Sequence, residues 1–368
     1  MKAYLEISPL FEDHWTGIPV VTAAVAAHAL EDTRIEWNFL FETVPLPQDM
    51  VVDMLQARTG AVARGRLPDL FWRKPPLSWA ESKKAPAIYT NIKPMRRYFR
   101  REAMIIYDLS PVLTPQFHNV DTINHFGNRL RGDIETTEHF FCISNATERD
   151  LQSYLGVDCA QTSLIRLGID ICWIDVSMAQ RIADEREVEP YVVVLGTLEP
   201  RKNGQIVLRY LAAHPEFARR CRVVFVGREG WLAERDRLMG DLIAHGISPD
   251  RVLFTGYLTE QEKIMLIYNS LFCIYPSFFE GFGLPVLETI ALGKIMVCSN
   301  TSSMPEVMPE HCCFFDPHSL SEFGRAMAAA ETEAGQQRGS RSLTDVMGQV
   351  DRFDWSECYA EIARWVLA

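Results

Sequence analysis

Short β-branched runs that end in glycine recur through the second half of the chain. Each is followed by apolar positions at helical spacing. "YVVVLG" (191–196) reads as a buried parallel strand, and Ile206, Val207, Tyr210 and Leu211 then lie on one helical face. "RVVFVG" (222–227), "RVLFTG" (251–256), "LFCIYPS" (271–277) and "IMVCS" (295–299) predict four more strands. Thr259 and Glu262 predict a capping box that opens the helix "KIMLIYNS". Strands alternating with helices imply a parallel, doubly wound sheet. The first half repeats this class more faintly. "KAYLEIS" (2–8), "AMIIYDLS" (103–110), "HFFCIS" (139–144) and "TSLIRLGI" (162–169) predict strands. A helix is expected from near Pro19, and another over "NATERDLQSYLG" (145–156). The polar span 173–190 ends in proline and reads as a linker. The expectation is α/β throughout: Rossmann-like domains over 1–172 and from 191, facing across a cleft.

Composition narrows the class. At 368 residues, 48% hydrophobic and 23% charged, the chain suits two globular domains. No apolar run approaches the ~18 residues that span a bilayer, and the N-terminus lacks a signal-peptide pattern. Nine cysteines without a C-x-x-C pair fit reduced thiols in a cytoplasm. A net charge of −11 argues against nucleic acid as a partner. Residues 64–101 oppose that balance, with eleven Lys or Arg against two acids. Within them "PMRRYFRRE" (94–102) sets Arg96, Arg97, Arg100 and Arg101 around Tyr98 and Phe99. One reading is a loop that pairs with acids elsewhere in the chain. The other is contact with anionic lipid headgroups or a lipid-linked diphosphate.

Ligands of open α/β sheets bind beyond the carboxyl ends of the strands. Three features gather there in the second domain. "GTLEPRKN" (196–203) follows a strand and places Arg201 and Lys202 near a helix start, where two cations suit a diphosphate. Surface charge at a helix entrance is the plain alternative. "EGFGLP" (280–285) combines Gly281 and Gly283, which permit close backbone approach, with Pro285 for the first position of a helix. The amino end of that helix then faces the same space. Glu288, assigned to its first turn, can accept from vicinal ribose hydroxyls, and Glu280, in the loop, from those of a hexose. Simple dipole complementation explains Glu288 but leaves Glu280 unexplained. A glycosidase acid and base pair ranks lower, since it needs no phosphate cradle. No G-x-G-x-x-G follows the first strand, which counts against a nicotinamide enzyme.

"FEGFGLPVLE" resembles the Glu–seven–Glu motif of the retaining glycosyltransferases of family 4, the group 1 enzymes of GT-B fold. "VLGTLEPRKN" is similar to their phosphate loop, and "VLFTGYL" to the strand before their base-contacting loop. "TGIP" (16–19), "IYDLSPVLTPQF", "CISNATERDL" and "LGID" resemble N-terminal landmarks, and "FDWSECYAEIARWVL" the terminal helix. The resemblance implies that 191–350 binds the nucleotide sugar and that 351–368 packs back on the first domain. It implies that Glu288 holds the donor ribose and Glu280 the transferred sugar, with the amides of Phe282, Gly283 and Leu284. Arg201 and Lys202 would neutralise the departing diphosphate, Gly17 would let the first domain's loop approach it, and Tyr257, Leu258 and Arg228 would lie near the base. Tyr107-Asp108 stands where the family often has His-Asp, so Asp108 is a catalytic candidate without the histidine.

No D-x-D occurs, and no divalent metal or other cofactor is expected, since Arg201, Lys202 and the helix end can do the electrostatic work. The implied activity is transfer of a hexose, with mannose from GDP-mannose as the leading donor and UDP-sugars as the open alternative, to a saccharide or lipid-linked saccharide in polysaccharide or glycoconjugate synthesis. The expected location is cytoplasmic, and peripheral contact with the inner face of the membrane is the alternative that the basic segment 94–102 offers. A non-catalytic sugar-nucleotide sensor or inactive partner subunit is the alternative of a different class.

Overall fold

The computed structural model describes residues 1–73, 76–91, 93, 97–171, 176–180, 189–230, 234–337 and 350–368. Of the expected linker, 173–175 and 181–188 lie outside the described residues, as does Arg96 of the basic segment. The chain forms two compact units. One comprises Met1–Leu109, Asn124–Gly168 and Phe353–Ala368, the other Ser110–Ile123 and Ile169–Arg352.

The first unit holds β1 (Lys2–Glu6), β2 (Glu36–Phe41), β3 (Val44–Pro45), β4 (Ala87–Tyr89), β5 (Glu102–Ile106), β6 (His139–Cys142) and β7 (Thr162–Leu164). They form one sheet in the order β3-β2-β1-β4-β5-β6-β7. All neighbours are parallel except β2 and β3. β2, β3 and β4 are additions to the expected set. β2 escapes a pattern search because its burial runs e-i-i-B-B-i without alternation. Helix α1 (Ile18–Glu31) starts at Gly17, with Pro19 in its first turn.

The second unit holds β8 (Tyr191–Leu195), β9 (Arg222–Val226), β10 (Val252–Phe254), β11 (Cys273–Tyr275), β12 (Met296–Ser299) and β13 (Cys312–Phe315). They form a parallel sheet in the order β10-β9-β8-β11-β12-β13. β8 is buried along its whole length, as a central strand covered on both faces must be. Helices α2 (Gly204–Ala213), α3 (Glu260–Asn269) and α4 (Leu284–Ala291) connect these strands. The capping box is present: Thr259 Oγ1 accepts from the Glu262 amide, and Glu262 Oε2 accepts from the Thr259 amide. Ile206, Val207, Tyr210 and Leu211 of α2 are buried in the core with Phe225, Phe272 and Phe323.

Residues 110–123, expected in the first domain, cluster with the second unit. An aromatic stack accounts for it. Phe117 lies 4.7 Å from Phe278 at an interplanar angle of 4°, and Phe278 lies 4.8 Å from His318. The last helix, α5 (Trp355–Leu367), belongs to the first unit. Its Tyr359 hydroxyl donates to Asp32 and accepts from the Trp37 indole, each at 2.8 Å.

Candidate active site

Chain order sets the site. In the second sheet the chain steps outward from β8 to β9 and β10, then returns to β11 on the other side of β8. The loops after β8 and β11 therefore diverge from a topological switch point, where α/β sheets leave room for a ligand. The loop after β8 carries Glu199, Arg201 and Lys202 into α2. The loop after β11 carries Glu280 and Gly283 into α4. The two are latched together. Asn203 donates its side-chain amide to the Pro276 and Pro317 carbonyls, and the Phe278 amide donates to the Arg201 carbonyl at 2.9 Å.

Three of the expected residues meet here in one ion cluster, in which Glu280 is buried and both cations are half-buried. Glu280 Oε1 is 2.6 Å from Lys202 Nζ, and Oε2 is 3.1 Å from Arg201 Nη1. Arg201 Nη2 turns back to Glu199 Oε1 at 2.8 Å. Lys202 Nζ also donates to the Tyr275 hydroxyl at 2.9 Å. Burial by itself would raise the Glu280 pKa. Arg201 and Lys202 outweigh burial and hold it at about 2. Glu280 is thus ionised, with both cations as its partners. Burial pushes the Glu199 carboxyl up against the pull of Arg201.

The loop around Glu280 is pinned by hydroxyls that follow β12. The Glu280 amide donates to Ser302 Oγ at 2.9 Å, and Ser303 Oγ donates to the Glu280 and Phe282 carbonyls. Thr301 Oγ1 donates to the Phe278 carbonyl. Sequence reasoning missed these three, together with Glu199, Tyr275 and Lys263. The available signal was the hydroxyl run "TSS" (301–303), one residue after a strand.

Gly283 caps α4 with φ at 104°, a conformation open to glycine and costly for other residues. Phe282 is buried beside it, Leu284 is the first helical residue and Pro285 the second. Glu288 is accordingly the fifth residue of α4, in the second turn and not the first, because the helix begins only after the left-handed Gly283. Dipole complementation fades beyond the first turn. Glu288 instead pairs with Lys263 of α3, Oε2 to Nζ at 2.9 Å.

Tyr257, Leu258 and Arg228 lie on the same carboxyl edge, in the loops after β10 and β9. Tyr257 and Arg228 are exposed and Leu258 is half-buried. The loops interlock: the Leu198 amide donates to the Arg228 carbonyl, the Gly230 amide to Leu198 and the Gly227 amide to Gly256. Gly227 is required, since a Cβ there would sit 2.1 Å from the Gly196 carbonyl oxygen.

Gly17 and Asp108 belong to the first unit. Gly17 caps α1 with φ at 55°, and Asp108 lies two residues beyond β5, half-buried. The Tyr107 hydroxyl is buried. Burial raises its pKa strongly, with Thr22 of α1 and Cys358 of α5 as neighbours, so this tyrosine packs inside the unit. The basic segment is also engaged within that unit. Arg97 and Arg101 both bind Glu138, at 3.0 and 2.9 Å, and Arg101 lies 4.4 Å from the centre of the Trp365 ring. Phe99 is fully buried. Pairing with acids of this chain is therefore what Arg97 and Arg101 do. Among the described residues no three His, Cys, Asp or Glu converge as a metal site would need, and no helix is long and apolar enough to cross a membrane.

The family model for glycosyl transferases group 1 matches residues 178–340. O-antigen chain mannosyltransferase B of Escherichia coli is 24% identical over 265 residues, covering 70% of this chain and 68% of that protein. The serotype-specific mannosyltransferase WbdA of Escherichia coli is 25% identical over 261 residues. That match covers 68% of this chain and 31% of WbdA, so the chain spans about a third of that relative's length. Among solved structures, sucrose-phosphate synthase from Thermosynechococcus elongatus superposes with a TM-score of 0.69 at 16% identity, covering 99% of this chain and 98% of the other. The matched segment 178–340, the mannosyltransferase relatives and the GT-B fold of the whole chain together support a group 1 glycosyltransferase that acts as a hexosyltransferase.

Proposed function

We propose that the enzyme transfers mannose from GDP-mannose, with retention, to a saccharide or lipid-linked saccharide of a polysaccharide such as an O-antigen. The observation that carries the reading is the ion cluster of Glu280, Arg201 and Lys202 at the switch point. The mannosyltransferase relatives support the sugar, and the Glu–seven–Glu resemblance supports the stereochemical course.

In this reading the donor diphosphate accepts from Arg201, Lys202 and the amino end of α4, which hold the charge that grows as the bond breaks. Glu280 turns its acceptor oxygens to the sugar hydroxyls. The anomeric carbon–oxygen bond breaks, and the acceptor oxygen bonds to that carbon on the same face. The acceptor's proton passes to the departing phosphate oxygen. Glu288 accepts from the ribose hydroxyls.

A thermal-shift panel of GDP, UDP, GDP-mannose and UDP-glucose tests the donor, because a selectively bound ligand stabilises the fold by mass action. GDP and GDP-mannose are expected to raise Tm. A shift with the uridine pair alone would reassign the base, and no shift with any of the four would count against a nucleotide-sugar site.

A further inference from the structure

The reading of Glu288 as a ribose ligand leaves a problem. Its carboxylate is only 24% exposed at the side chain, and burial pushes its pKa up. Once protonated, it would present one donor and lose an acceptor, and paired ribose hydroxyls would no longer find two carboxylate oxygens. Something must keep it ionised and aimed.

Lys263 is placed to do so. It lies in α3, which opens at the Thr259–Glu262 capping box directly after Tyr257 and Leu258. Its Nζ reaches across to Glu288 Oε2 at 2.9 Å and back to Glu260 Oε1 at 3.1 Å. Its side chain is 22% exposed. Burial would lower the Lys263 pKa, but the two carboxylates outweigh it and raise it, so the ammonium stays charged. This contact uses one of the two lone pairs of Oε2, and no hydrogen bond among the described residues uses Oε1, so both oxygens can still accept from a hydroxyl. The same helix thus carries the base-side loop at its head and the partner of Glu288 one turn further on.

We propose that Lys263 is a positioning residue for nucleoside recognition: it fixes the Glu288 carboxylate, ionised and in one orientation, for the ribose of the donor. This rests on the reading of Glu288 given above. A merely structural ion pair between these helices would contribute to stability alone, and such pairs are often replaced by apolar side chains without loss. Ribose discrimination separates the two roles.

The test measures Kd for GDP and UDP and for their 2′-deoxy forms, with wild type, Glu288→Gln, Lys263→Met and Lys263→Arg, each checked for folding by Tm. Wild type is expected to prefer the ribonucleotide by about 10-fold, the scale of one hydrogen bond to a charged group. Glu288→Gln and Lys263→Met should both reduce that preference to near unity, and Lys263→Arg should restore most of it. Wild-type discrimination in Lys263→Met, with loss in Glu288→Gln, overturns the positioning role and leaves the ribose reading standing. Wild-type discrimination in Glu288→Gln overturns the ribose reading itself. If Lys263→Met does not fold, Lys263→Gln, which keeps a donor without the charge, carries the same comparison.

Discussion

At the carboxyl end of β1, Glu6 is 5% exposed, and its Oε1 accepts from the amides of Ser8 and Glu42, each at 3.0 Å, and from the Ser8 hydroxyl. Burial outweighs these bonds and raises its pKa from an ordinary 4.5 to about 7. Between those two values the folded chain binds a proton that the unfolded chain has lost, so stability falls as pH rises through that window. Glu6→Gln keeps the carbonyl acceptor and removes the titration. Urea unfolding from pH 5 to 8 should show the wild-type decline and a flatter profile in the variant; parallel profiles would sink this account. Lys202 makes a different case, because it serves the fold and the site together. Lys202→Ala should lower kcat/KM by at least about 100-fold, the scale of losing one charge-stabilising donor. It should also lower stability by up to about 3 kcal/mol, since buried Glu280 is left with Arg201 as its remaining cation. Chemical denaturation beside steady-state kinetics checks both halves, and unchanged stability would place Lys202 outside the cluster in solution.

Elements differ in how far they could be read in advance. β8 was legible because "YVVVL" is buried throughout, and a central parallel strand needs an unbroken apolar run. β4 was not, since "AIY" is three residues long and gains its identity only by pairing with β1 and β5. At the site, the residue types of the two loops after β8 and β11 were legible, but their ion pairs were not. Glu280 and Lys202 are separated by 78 positions, and only the switch point brings them within 2.6 Å. The turn occupied by Glu288 was misplaced by one, because a glycine in the left-handed region does not announce where a helix begins. The segment before β5 shows the same limit, with arginines whose partners lie on other elements. Arg101→Ser removes a bond to Glu138 and a contact with the Trp365 ring, and should cost about 1 kcal/mol in urea unfolding. The Arg97→Ser, Arg101→Ser double variant should leave cosedimentation with anionic liposomes as in wild type. Loss of cosedimentation would give these arginines a membrane role after all.

At the scale of the whole molecule, each unit is discontinuous in the chain. The second borrows Ser110–Ile123 from the middle of the first, and the first is completed by Phe353–Ala368. α5 is closely fitted there: a Cβ on Gly168 would lie 2.4 Å from the Trp355 amide nitrogen, and Cys358, Ile362 and Val366 are fully buried. A chain stopped at Arg352 should keep a protease-resistant second unit and lose the first, which limited proteolysis would read directly; equal resistance of both would make α5 an accessory. The fit of α5 also orders events in time. The ribosome makes the whole of the second unit before it makes the helix that covers the first, so during synthesis the earlier-made unit is the later to mature. Its apolar surface waits for a partner not yet translated, and in that interval it is the part of the chain most open to non-native association.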